Sequence, residues 1–125
     1  MYGIPPLDDY TSPGTTTWKL WFKRLFDFVT SQIKLVTVTA SYTIVADVFY
    51  VRADGTGGVL TVTLPAALTS SGRQIAVKKI DASANAITIA AAGSDTIDGA
   101  ATMSLASQWD KQVLISNGDD GWEKL

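Results

Sequence analysis

The sequence predicts a mainly β fold: an antiparallel β-sandwich or jelly-roll-like domain preceded by an extended N-terminal arm and one amphipathic helix. Three observations carry this prediction. From Leu35 onward apolar and polar residues alternate with period two, and the apolar set is rich in Val and Ile. Gly-containing turn signals break the alternation every ~8–12 residues, the rhythm of short strands in an all-β domain. Upstream of Leu35 the apolar period is helical, and upstream of Trp18 there is almost none.

The chain therefore divides into residues 1–34, read as an attachment and oligomerisation segment, and residues 35–125, read as the β-domain. Residues 1–17 hold Pro5, Pro6, Pro13 and Gly14 among polar turn formers, too little apolar content for a core, so a partner is expected to order them. From Trp18 to about Lys34, Trp18, Trp21, Phe22, Leu25, Phe28, Val29 and Ile33 recur at intervals of three and four and form one apolar stripe. Thr15 to Thr17 offer N-caps, and the helix would run about 25 Å at ~1.5 Å per residue. Leu20 and Phe26 widen the stripe beyond what one small domain needs on its flank. Three uses of that surface stand open: contact with other copies or with a particle, packing on the chain's own β-domain, and an interfacial membrane helix, the last weakened by Asp27 and the polar Thr30-Ser31-Gln32 end.

In the second segment the predicted strands are Val36 to Ala40, Ile44 to Arg52, Val59 to Leu64, Gln74 to Ile80, Ala86 to Ala91, Thr102 to Leu105, Gln112 to Ser116 and Trp122 to Leu125. Leu60, Val62 and Leu64 would face one way and Thr61 and Thr63 the other. Ile75 with Val77, Ile87 with Ile89, and Val113 with Ile115 repeat the alternation. Lys78 and Lys79 interrupt their strand near its end, which reads as an edge or a solvent face.

Composition excludes several function classes. Ten Lys and Arg against 12 Asp and Glu give a formal charge of −2, so no concentrated basic face is expected for nucleic acid. No apolar run approaches the ~20 residues of a membrane span, and the first residues lack the pattern of a secretory signal. The chain has no Cys and no His, which removes disulfides, the commonest general base and the commonest metal ligand together. No cofactor and no catalytic residue is predicted.

The remaining motifs favour structure over chemistry. Asp54-Gly-Thr-Gly-Gly58 is not followed by Lys-Ser/Thr or a helix, so it reads as a tight hairpin turn rather than a phosphate cradle. Asp95, Asp98, Asp119 and Asp120 lack EF-hand spacing, and turn chemistry is preferred to a Ca²⁺ site. A glycosidase would need two carboxylates facing each other across a sugar cleft, and Asp81, Asp95, Asp98 and Glu123 have no aromatic platform around them in sequence. Serines are plentiful, but no Gly-x-Ser-x-Gly elbow and no His exist to activate one. Trp109 is the candidate glycan contact, with a loop or strand-start role as its structural alternative; Trp122 is expected to pack at the sheet's edge.

Five elements occur in order along residues 36–125: Leu64-Pro65, Lys78-Lys79-Ile80-Asp81, Asn85 before an alternating strand, Thr96-Ile97-Asp98-Gly99, and Gly121-Trp122. Together they resemble a β-domain of bacteriophage trimeric fibre and capsid-decoration (head-fibre) proteins. The resemblance implies a virion structural protein, made in the host bacterial cytoplasm and assembled as a homotrimer. Its N-terminal part would be fastened to a major capsid protein or tail adaptor, with Pro5, Pro6, Trp18, Trp21, Phe22, Leu25, Phe28 and Val29 as the contact residues. A receptor- or carbohydrate-binding module of a tail fibre is the alternative.

Overall fold

The computed structural model describes residues 34–125. The predicted arm and helix, and with them Pro5, Pro6, Trp18, Trp21, Phe22, Leu25, Phe28 and Val29, lie outside the described residues. The alternating segments form strands β1 (Lys34–Val38), β2 (Tyr42–Thr43), β3 (Val48–Ala53), β4 (Leu60–Thr63), β5 (Gln74–Lys79), β6 (Ile87–Ala90), β7 (Thr96–Ile97), β8 (Thr102–Leu105), β9 (Lys111–Ser116) and β10 (Gly121–Lys124), with a 3₁₀ turn at Ala67–Thr69. The described chain is thus mainly β, as the period-two pattern predicts.

Its pairing differs from the antiparallel expectation. One sheet has the order β1-β3-β5-β9-β10-β7 and the other β2-β4-β6-β8, so successive strands fall in alternate sheets until the β9–β10 hairpin. Strands β1, β3 and β5 are mutually parallel, as are β2, β4 and β6, and β10 runs parallel to β7. Only β5 with β9, β9 with β10, and β6 with β8 are antiparallel ladders. The first six strands therefore wind, each turn laying one strand on each sheet. Parallel neighbours need a crossover, and here the strand in the opposite sheet supplies it. Period and turn spacing are the same whether a chain doubles back or crosses over, which is why the sequence pattern alone favoured the antiparallel arrangement. The Asp54–Gly58 turn is accordingly a corner carrying β3 of one sheet into β4 of the other, not a hairpin.

Inward residues of both sheets join one apolar cluster: Val51, Ala53, Ile75, Val77 and Leu114 from the larger, Leu60, Val62, Ile87, Ile89 and Leu105 from the smaller. Each fully buried Ile or Leu contributes about 1.5–3 kcal/mol relative to exposure. The outer faces keep polar residues between the buried ones, so the parallel strands alternate instead of reading as unbroken apolar runs. Trp122 is 1% exposed and its Nε1 donates to Pro65 O at 3.1 Å, tying β10 to the segment after β4. It lies between β9 and β7 rather than at the sheet's edge. The turn after β7 places Asp98 at φ 46° and Gly99 at φ 86°, with Ile97 and Ala100 exchanging both backbone bonds, the two-residue hairpin geometry that an Asp-Gly pair serves. Among the described residues no helix is long and apolar enough to cross a membrane.

Candidate functional site

Strand β5 carries two polar assemblies, one on each face. On the inner side Lys79 is 0% exposed, which corrects the solvent-face reading for Lys79 while Lys78 keeps it; the edge reading fails for both, because β5 is an interior strand flanked by β3 and β9. Its Nζ donates to Asp81 Oδ2 at 2.9 Å and to Asn85 O at 2.8 Å. Asp81 Oδ1 accepts from Gly55 N at 2.7 Å, and Oδ2 accepts from Ser83 N at 3.0 Å and from Ser83 Oγ. Asn85 Nδ2 closes the ring on Gly55 O at 2.8 Å. A Cβ on Gly55 would sit 3.2 Å from both Asn85 O and Ile87 Cδ1, so the close approach of the two corners favours glycine, and a side chain there would have to push its neighbours back by a few tenths of an ångström.

Burial alone would raise the Asp81 carboxyl; the Ser83 hydroxyl, the Lys79 ammonium and the Gly55 and Ser83 N–H groups outweigh it and hold the carboxyl well below the usual range. A carboxylate engaged by all these donors is built to fix two loops. Asp54 is similar on a smaller scale. The Thr56 hydroxyl and N–H bond its Oδ1 and lower its pKa.

The outer side is different. Thr37, Arg52, Lys78 and Lys111 are successive cross-strand partners on β1, β3, β5 and β9. Arg52 and Lys78 each alternate with buried neighbours and so project outward, and Lys111 shares the outward parity of Val113. Three cations thus line up on adjacent strands ~4.8 Å apart. Arg52 Nη1 donates to Thr37 Oγ1 at 3.3 Å. Among the described residues the ion pairs are Lys34–Asp47 and Lys79–Asp81, and neither involves this row. Beside the row, Leu35, Tyr50, Ala76 and Val113 form an apolar cross-strand line.

Trp109 stands beside the middle cation of the row, Lys78. It is 57% exposed, and the Lys78 ammonium lies 5.4 Å from its ring centroid. Its backbone sits at φ 73°, a region that a bulky L residue rarely adopts. The loop that imposes this is closely tied: Trp109 N donates to Lys79 O at 2.8 Å, Lys79 N to Asp110 O at 2.9 Å, and Gln108 Nε2 to Ile80 O at 3.2 Å. Asp110 Oδ2 accepts from Ala106 N and Ser107 N at 3.1 and 2.9 Å, which turns that carboxylate into its own loop.

Trp109 is thus the one predicted contact residue that falls among the described residues, and it lies on a loop. Sequence reasoning picks out neither Arg52 nor Lys111, and Lys78 only as part of the Lys78-Lys79 pair. Their signal is outward parity on three strands, and it becomes a row only once register is known. Of the four aspartates weighed for Ca²⁺, Asp119 and Asp120 sit in the turn after β9, whereas the carboxylates of Asp95 and Asp98 tie segments distant along the chain. Asp95 Oδ2 accepts from Ala67 N at 2.8 Å, Asp98 Oδ1 from Lys124 N at 3.4 Å, and Asp120 Oδ1 from Asn117 Nδ2 at 3.1 Å, while Asp119 N donates to Asn117 Oδ1 at 2.9 Å. Among the described residues no three potential metal-ligating side chains gather. No protein-family model matches this sequence, and no curated protein matches it.

Proposed function

We propose that this chain is a phage virion structural protein, a capsid-decoration, cement or head-fibre protein that acts by adhesion and not by catalysis. In this reading residues 1–34 bind the particle, the β-domain is displayed, and the two sheets close as a sandwich. The observation that carries it is what the five shared sequence elements do. Pro65 accepts the Trp122 indole, Lys79, Asp81 and Asn85 pin the corner at Gly55, and Asp98-Gly99 makes a tight turn. All are fold determinants, as expected of a module kept for its shape. Self-association as a homotrimer is supported by the outward apolar line through Leu35, which is 49% exposed. Imaging of labelled intact virions tests the reading, with the chain expected on the particle surface. Its absence from purified particles overturns it. Replacing Trp21 or Phe22 by Ala in the full chain should weaken particle binding by about 2–4 kcal/mol each if they are anchors.

The second reading, a receptor- or carbohydrate-binding module of a tail fibre, draws on Trp109, an exposed indole held in a strained backbone beside a cation. A glycan-array signal lost in Trp109→Ala would favour it.

A further inference from the structure

We propose that Trp109 and the row Arg52–Lys78–Lys111 form a binding site for an acidic polysaccharide, the indole stacking on a sugar ring and the row taking the carboxylates of uronic-acid units. This rests on the carbohydrate-binding reading of Trp109 and adds the charge class of the ligand. Two independent features lead to it.

The first is backbone strain spent on an exposed side chain. Gly adopts φ near +70° without penalty, whereas an L residue there is strained and persists only where surrounding bonds over-determine it. The bonds through Lys79, Ile80 and Asp110 do so at Trp109. The indole they present contributes little to the core, being 57% exposed, and Lys78 Nζ at 5.4 Å steadies its orientation.

The second is the charge row. Like charges directly opposite one another destabilise a sheet, yet Arg52 faces Lys78 and Lys78 faces Lys111. The nearby carboxylates of Asp54 and Asp110 are bonded into their own turns. A straight line of cations on evenly spaced strands matches a polymer carrying an anion on successive units better than one small anion. Stacking plus sparse charge is the chemistry of an acidic sugar chain. The formal charge of −2 does not favour a partner as densely charged as nucleic acid.

The test is affinity electrophoresis of the full chain in gels containing polygalacturonate, neutral dextran or polyglutamate. Polygalacturonate, with a carboxylate on every unit, should retard the protein, and Trp109→Gly and Lys78→Gln should each weaken that retardation about tenfold or more while thermal unfolding stays at or above the wild-type temperature. Retardation by dextran without preference for polygalacturonate overturns the acidic assignment and leaves the carbohydrate reading standing. No retardation by either sugar polymer removes both. Equal retardation by polyglutamate, or retardation by polygalacturonate that survives Trp109→Gly, shows a polyelectrolyte effect without a sugar site and overturns the proposal.

Discussion

Lys78 and Lys79 are chemically identical neighbours on β5, and they serve opposite halves of the molecule. Lys79 points inward, fully buried, and joins Asp81 and Asn85 in a closed polar ring. Lys78 points outward over the indole of Trp109 and shares its face with Arg52 and Lys111. The period of two separates them: one residue of translation along a strand exchanges core for surface. An interior ammonium is tolerable only because a carboxylate and a carbonyl meet it, since an unpaired buried charge is strongly unfavourable. The inner assembly is therefore expected to govern stability and the outer one binding.

The sharpest way to break that comparison is to remove each lysine in turn. Lys79→Ala should cost about 3–5 kcal/mol, the range for deleting one partner of a buried pair. Lys78→Ala should stay within about 0.5 kcal/mol of wild type, as for an ordinary surface change. Urea unfolding of the two variants checks both values. A smaller loss is expected at the other inward anchor, where Trp122→Phe keeps most of the ring but leaves Pro65 O without its donor, for about 1–3 kcal/mol on the same assay.

Acid separates the halves by another route. The Asp81 carboxyl is held below its ordinary value in the fold, so it binds a proton less readily folded than unfolded. Its contribution is complete above the unfolded value of about 4 and is lost progressively as the pH falls below it toward the folded pKa. Unfolding midpoints followed downward from pH 5 should fall more steeply for wild type than for Asp81→Asn, whereas Lys78→Gln should follow the wild-type slope. One expected effect has the opposite sign. Trp109→Gly relieves the positive φ and should raise stability by about 1 kcal/mol in thermal unfolding.

The strand positions were largely legible because burial on one face writes its period into the residues. The predicted strands at Val59–Leu64, Gln74–Ile80, Ala86–Ala91, Thr102–Leu105 and Gln112–Ser116 each contain, or nearly coincide with, an observed one. The strands β2 and β7 were missed because two residues cannot display a period. Parallel winding was illegible for a different reason: local pattern fixes which face a residue takes but not which strand it pairs with, and pairing is decided by the common core. The same gap hid the candidate site. Arg52, Lys78 and Lys111 lie 26 and 33 residues apart in sequence (78 − 52 and 111 − 78) and meet only through the β3–β5 and β5–β9 registers. At Trp109 the positive φ is imposed by bonds to Lys79 O and Ile80 O, elements distant along the chain. Lys79 misled because the reading treated two adjacent lysines as one charged feature, although alternation requires them to part.

Amine labelling of the native full chain, resolved at each lysine by fragmentation mass spectrometry, tests the division between inner and outer faces most directly. Lys78 should react at the rate of an accessible amine, and Lys79 should remain unmodified until the domain is unfolded by denaturant. Equal labelling of Lys78 and Lys79 under native conditions would contradict the account, because the strand would then not place one lysine in the core and the other beside Trp109.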